Sequence, residues 1–251
     1  MLLLISSLSI KAQDNAAASP EELAKKLANP IASLINVPFQ NYTDYDIGPN
    51  NGVKNTLNFQ PGIPVKLSPK LTLITRVVLP IVTQYNVTSA YSKQSGLSDA
   101  VVSAFFSPAG KNGVVWGIGP ALLIPTATDP LLGTKKLGLG PTGVILKQAG
   151  HLTFGALVNQ LWSVAGDKDR ANVSQFFIQP FITPNWKSGA GIGLSAEVTK
   201  NWQSNTTTAF IMPNVSGVTK LGKQIISLSF GARIPVAAPI LKRAITFIPL
   251  T

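Results

Sequence analysis

The chain has 251 residues, 45% of them hydrophobic and 12% charged, with a formal net charge of +11. Charge this sparse is about half the ~25% of an ordinary globular domain, and with a mean hydropathy of +0.26 it excludes intrinsic disorder. The chain has no cysteine, and its 21 glycines and 19 prolines cut every apolar run short of the ~20 residues a spanning helix needs; this excludes thiolate metal sites and helical membrane spans. A closed β-barrel is then the common way to hold such a chain in a bilayer, because every backbone group finds a partner.

In chain order, residues 1–13 read as a signal peptide around the apolar run 2–10. Residues 14–30 read as an N-terminal helical leader. Within it, Ser19-Pro20-Glu21-Glu22 is a capping box with Pro at the first helical position. A helix over 19–28 is expected, carrying Leu23, Ala24 and Leu27, and it reads as solvated; the alternative is a plug facing a lumen.

Residues 31–251 read as the barrel. In 53–66, Leu57, Phe59, Ile63 and Val65 alternate with Lys54, Thr56, Asn58, Gln60 and Lys66. In 189–200, Ile192, Leu194, Ala196 and Val198 alternate with Gly191, Gly193, Ser195 and Glu197. In 224–234, Ile226, Leu228, Phe230 and Ile234 alternate with Ser227, Ser229, Gly231 and Arg233. Period-2 alternation signals strands, and strands of about ten residues match a tilted bilayer crossing.

Short breakers lie at 68–70, 108–113, 148–150, 184–188 and 222–223. Mostly longer ones lie near 48–52, 83–96, 125–136, 165–172, 201–206 and 235–240, and the two classes alternate. The expected fold class is therefore all-β, an antiparallel transmembrane β-barrel of about 12 strands with a short N-terminal helix. Both chain ends lie on the short-turn side, as in outer-membrane barrels. Trp162 and Trp202 at the long-loop end, and Phe154, Phe181 and Trp186 near short turns, are candidates for two aromatic interface belts.

Several segments then carry a resemblance in order: Phe105-Phe106-Ser107-Pro108, Trp116-Gly117-Ile118-Gly119-Pro120, Pro125-Thr126-Ala127-Thr128-Asp129, Gly140-Pro141-Thr142, the stretch from Trp162 through Gly166-Asp167-Lys168-Asp169-Arg170, and Gln179-Pro180-Phe181. Together they resemble the bacterial outer-membrane proteins labelled "neuromedin U", a group similar to the MetA-pathway of phenol degradation transporter family. The resemblance implies a bacterial outer-membrane barrel with a transport role. Its implied partners are outer-membrane lipid, small solutes of anionic or aromatic character, and the barrel-assembly machinery. The C-terminal residues Phe247-Ile248-Pro249-Leu250-Thr251 depart from the terminal aromatic that this machinery reads, with Phe247 the nearest substitute.

Catalysis finds little support. His151, the single histidine, falls in a short turn, where a solvated role is expected and a Ser–His arrangement lacks its base. Asp129, Asp167 and Asp169 are loop carboxylates without the spacing of a calcium loop; solvated or Arg170-paired carboxylates are expected. Gly117, Gly119, Gly138 and Gly140 lack the strand-to-helix setting of a phosphate loop and read as places where barrel strands bend. Basic residues are spread singly, so nucleic acid is not an expected partner. No cofactor and no metal site are expected.

Charges on the lipid face cost roughly 2–4 kcal/mol at the bilayer midplane, so parity sends them inward. The expected pore-lining residues are Lys54, Arg76, Asp99, Glu197, Arg233 and Arg243. Their positive bias suits a channel for passive or selective passage of small solutes with an anion preference. A non-conducting structural or surface-binding barrel is the alternative, followed by a barrel-embedded hydrolase.

Overall fold

The computed structural model describes residues 19–32, 34–110, 112–184, 186–221, 224–238 and 241–245, and gives backbone alone at 220–221 and 241–245. The expected signal peptide at 1–13 and the terminal Phe247 lie outside the described residues. Among the described residues one helix, α1 (Pro20–Leu27), precedes fifteen strand segments. These are β1 (Phe39–Ile47), β2 (Gly52–Phe59), β3 (Gly62–Ser68), β4 (Leu71–Tyr85), β5 (Lys93–Leu97), β6 (Ala100–Pro108), β7 (Val114–Ile124), β8 (Lys136–Ala149), β9 (Leu152–Gly166), β10 (Ser174–Pro184), β11 (Ala190–Asn201), β12 (Thr206–Leu221), β13 (Gln224–Gly231), β14 (Ile234–Ala237) and β15 (Leu241–Ile245).

Three pairs of segments are single interrupted staves. β2 and β3 run on in one register along β4, since Phe59 pairs with Leu79 and Gly62 with Arg76. β13 and β14 do the same along β12, where Asn214 pairs with Gly231 and Ile211 with Ile234. β5 and β6 both pair with β4 but gain one residue between them, because Ile81 faces Leu97 whereas Val78 faces Val101. That extra residue is a bulge at Ser98–Asp99.

Twelve staves result, and from β1 to the β13–β14 stave each pairs antiparallel with its sequence neighbour. β1 closes onto β15, with Thr43 opposite Ile245, and β14 lies beside β15. This brings the two ends of the sheet side by side, where a sheet in lipid needs its edges covered. The connections fall where the breaker pattern anticipates, but their lengths alternate only in part: the 125–135 loop has eleven residues and the 69–70 turn two, whereas 202–205 has four and 109–113 five. At the short end Gly150, at φ +56, opens a two-residue hairpin between Ala149 and Leu152, a position where a Cβ is penalised.

The outer face is apolar. Ile63, Val65, Leu67, Ile118, Ile145, Ile192, Leu194, Val215 and Phe230 all stand exposed on it. The outward lysines Lys93, Lys147 and Lys200 sit at or within two residues of strand ends, where headgroups and water begin. Tyr85 and Trp202 rings receive Lys93 and Lys200 at 5.2 and 5.8 Å. Exposed Tyr45, Tyr85, Trp162 and Trp202 mark the long-loop rim, and exposed Trp116, Phe154 and Trp186 the short-turn rim. Phe181 departs from the belt expected of it: on β10 it shares parity with Gln179 and Thr183 and lines the interior.

Two inward glycines shape the wall. A Cβ at Gly119 would collide with the Ala104 carbonyl, and one at Gly140 with the Gln160 carbonyl. These strands approach too closely there for any side chain, as at designed barrel corners.

Candidate functional site: the barrel lumen

The short-turn mouth is occupied by α1. Its capping box forms in both directions, with Glu22 N donating to Ser19 Oγ at 3.2 Å and Ser19 N donating to Glu22 Oε2 at 3.0 Å. Leu23 (1% exposed) and Ala24 are buried, and the helix packs on β12 and β13. Across the mouth, Gln148 Nε2 donates to Lys25 O at 2.8 Å, and His151 Nδ1 lies 2.9 Å from Glu21 Oε1. The expectation of a solvated leader is corrected: the apolar stripe of Leu23, Ala24 and Leu27 finds its cover inside the barrel. His151 stays exposed in its turn, as expected, while its ring contacts the helix through Glu21. Glu21 lies 2.8 Å from Lys25 Nζ; that hydrogen bond, with His151 behind it, holds the carboxyl below its ordinary range.

Beyond the helix the chain enters the lumen. Ile31 packs with Ile74, Phe105, Val144 and Leu157, with Val115 and Phe177 against them. Phe105 is 0% exposed. A second group, Ala121, Leu123 and Leu161, continues this apolar arc along β7 and β9. The strand-like segment before β1 then bridges Asn36 to Gly62.

The opposite arc is polar and centred on Arg233, at the junction of β13 and β14. Its Nη1 donates to both oxygens of Asp44, at 2.7 and 2.8 Å, and its Nη2 lies 3.6 Å from Glu197 Oε2. The guanidinium stacks 3.2 Å from the Phe210 ring centroid and 5.3 Å from that of Tyr42. Such an arrangement desolvates the cation against aromatic faces while two carboxylates neutralise it. Nε is buried without a hydrogen-bond partner among the described residues. Next to this cluster, Arg76 Nη2 donates to Gln60 Oε1, Gln60 Nε2 donates to Gln40 Oε1, and the Tyr42 hydroxyl donates to the same oxygen at 3.0 Å.

This chain of hydrogen bonds separates two chambers. The lower one, about 260 Å³, lies beside α1 and is lined by Ala24, Leu27, Phe181, Met212, Ser227 and others. The upper one, about 320 Å³, is lined by Asp44, Lys54, Thr56, Asn58, Val78, Val101, Phe177, Glu197 and Arg233, among others. Gln40, Tyr42, Gln60, Arg76, Leu157 and Gln179 border both, so they form the ring between them.

Of the sequence-expected residues, Lys54, Arg76, Glu197 and Arg233 come together here. Asp99 does not. It has the inward parity of β6, but the 125–135 loop lies over it, and its carboxylate accepts from Thr134 N and Oγ1 (both 2.6 Å) and Ala127 N. Its role is to fasten that loop. For Arg243 the backbone register alone is described: it lies opposite Tyr45, with Ala244 opposite Asp44. Asp44, Gln40, Tyr42 and Gln179 were missed, although Gln40, Tyr42 and Asp44 recur at period 2, while Gln60 follows the polar face of 53–66 into the lumen.

The long-loop mouth is knitted by the motifs that carry the resemblance. Thr126 Oγ1 donates to Ser98 O and accepts from Ala100 N, while Thr128 Oγ1 accepts from Leu97 N. Arg170 donates to the carbonyls of Pro130 and Gly133 rather than to a carboxylate. Asp167 instead accepts from Asp169 N and pairs with Lys135 at 3.4 Å; the backbone bond first and Lys135 second draw its carboxyl below the ordinary range. The expected Arg170–carboxylate pair is thereby replaced by a Lys135 pair.

No family model matches the chain, and no curated protein matches it. Among solved structures, it is similar to the crystal structure of an outer membrane channel from Pseudomonas putida F1. The TM-score is 0.65 at 14% identity, over 86% of this chain and 93% of that one. Likeness at this identity is a likeness of fold, and the fold of this chain is an antiparallel outer-membrane-type β-barrel of twelve staves with one short N-terminal helix.

Proposed function

We propose that this chain is an outer-membrane channel for small solutes, with a preference for anions. The observation that carries this reading is the pair of chambers joined through the ring of Gln40, Tyr42, Gln60, Arg76, Leu157 and Gln179, inside a barrel whose outer face is apolar. Polar chambers strung along a lumen give a solute successive weak sites, the condition for entry and exit. The likeness to a bacterial outer membrane channel supports outer-membrane placement. The sequence resemblance supports a place beside the phenol-degradation transporter group, with insertion by barrel-assembly machinery after export.

The anion preference is modest by this account. Around the two chambers, Lys54, Arg76 and Arg233 face Asp44 and Glu197, which leaves an excess of one positive charge. With α1 across the short-turn mouth, passage needs that helix to shift, so the channel rests closed. Single-channel recording of refolded protein in planar bilayers tests both points. Discrete steps with an anion-selective reversal potential are expected, and Arg76→Glu should shift that potential toward cations. Unchanged selectivity in Arg76→Glu would remove the ring from the ion path. Silence from inserted, folded protein would leave the structural-barrel alternative in place.

A further inference from the structure

We infer that the upper chamber is a binding site for a small amphipathic monoanion, a carboxylate carried on a compact apolar body. This rests on the channel reading above and names the solute class of the same lumen. The argument begins with how the interior charges are shared. Asp44 spends both oxygens on Arg233 Nη1, at 2.7 and 2.8 Å, and Glu197 turns its Oε2 to Arg233 Nη2. Lys54 is the register partner of Asp44 across β1 and β2. Even so, among the described residues no carboxylate lies within ion-pair distance of Lys54 or Arg76. Arg76 meets a neutral amide, Gln60. Arg233 thus holds both acids in contact, and Lys54 and Arg76 face the chamber without a contacting carboxylate, which leaves it an excess of one positive charge.

Charges shielded from bulk water are stabilised by pairing, and an anionic ligand supplies the missing partner. The rest of the wall describes the ligand's other end. Val78, Val101, Leu161 and Phe177 line the same chamber as Lys54 and Arg76. A site with apolar surface and a few convergent charged groups is what small-molecule pockets look like, and about 320 Å³ is near the lower limit of their usual range. Chloride or acetate satisfies the cations and leaves the apolar wall wet; a neutral hydrocarbon does the reverse. A monoanion with one ring or a short branched chain satisfies both.

The test is titration calorimetry on full-length refolded barrel with three probes: benzoate, benzyl alcohol and acetate. Benzoate should bind at least tenfold more tightly than either of the other two, which lack the charge or the ring. Lys54→Met should weaken benzoate about tenfold and leave benzyl alcohol unchanged, while Lys54→Arg restores benzoate. Retained heat-modifiable migration shows that each variant is folded, and Ile192→Val on the exposed outer face serves as a control that keeps benzoate affinity within a few-fold. Equal binding of benzoate and benzyl alcohol, or undiminished benzoate binding by folded Lys54→Met, overturns the inference. Bilayer recordings separate it from the channel reading. Conductance with no benzoate binding sinks the site and leaves the channel, and benzoate binding without conductance does the opposite.

Discussion

The lumen wall divides into two arcs that meet the same problem in different ways. On β6 to β9 the apolar inward positions form two clusters: Phe105, Val144 and Leu157 close over Ile31 from the chain's own N-terminal segment, and Ala121, Leu123 and Leu161 pack beside them. On β1, β2, β11 and the β13–β14 stave the inward positions are Gln40, Tyr42, Asp44, Lys54, Gln60, Glu197 and Arg233. The first arc behaves as the core of a soluble domain, held by non-directional apolar burial at roughly 25 cal/mol per Å². The second is held by directional hydrogen bonds and charges, each dependent on a named partner. A twelve-stave barrel is too wide for its own side chains to fill. The comparison shows that this chain fills one half with an apolar insert and leaves the other half polar enough to hold water and solute.

The sharpest way to break the comparison is to remove the keystone of the polar arc. Arg233→Met leaves Asp44 and Glu197 without their counter-charge, and stranding a buried charge typically costs about 3–5 kcal/mol. Urea unfolding in lipid vesicles should register a loss of that order. A much smaller loss would mean that water already screens this cluster. On the apolar arc, Phe105→Ala removes a fully buried ring, expected to cost about 3 kcal/mol in the same assay. Its effect should fall toward 1 kcal/mol if the lower chamber simply expands into the vacated space.

A third substitution tests whether the insert belongs to the apolar arc energetically. Leu23→Asp places a charge on the buried face of α1 and should undock it, raising the open probability in bilayer recordings while the barrel stays folded. Unchanged gating would mean that α1 is not the closing element. The smallest expected effect is a pH dependence. Because Glu21 is held below its ordinary carboxyl range by Lys25 and His151, its contribution to docking is present above the unfolded value near 4.5. That contribution is lost as pH falls through the lower folded value. Open probability should therefore rise below pH 4.5 in the native chain, and this acid response should be flattened in Glu21→Gln.

How much of this was legible depended on how strongly each strand face was constrained. The lipid-facing parity of β2, β11 and β13 was plain, because a one-residue slip would place Ile192 or Phe230 inside and a charge outside. β1 was not, because its outer face carries Asn41 and Thr43. These are tolerated by bonding to Asn55 Nδ2, each at 2.9 Å, and with polar residues on both faces the alternation that marks Gln40, Tyr42 and Asp44 disappears. Asp99 was misread because parity alone cannot show that a loop from 125–135 folds down onto it.

Composition, period-2 alternation and the spacing of turns determined that this chain becomes a barrel of twelve staves with an apolar exterior. These signals are local and repeat along every stave, so no distant contact is needed to read them. What the lumen contains was decided only by tertiary structure. Ile31 meets Phe105, Asp44 meets Arg233 across 189 residues, and Lys54 is left facing the chamber, because closing the ring brings together side chains whose separation in sequence carries no trace of their contact.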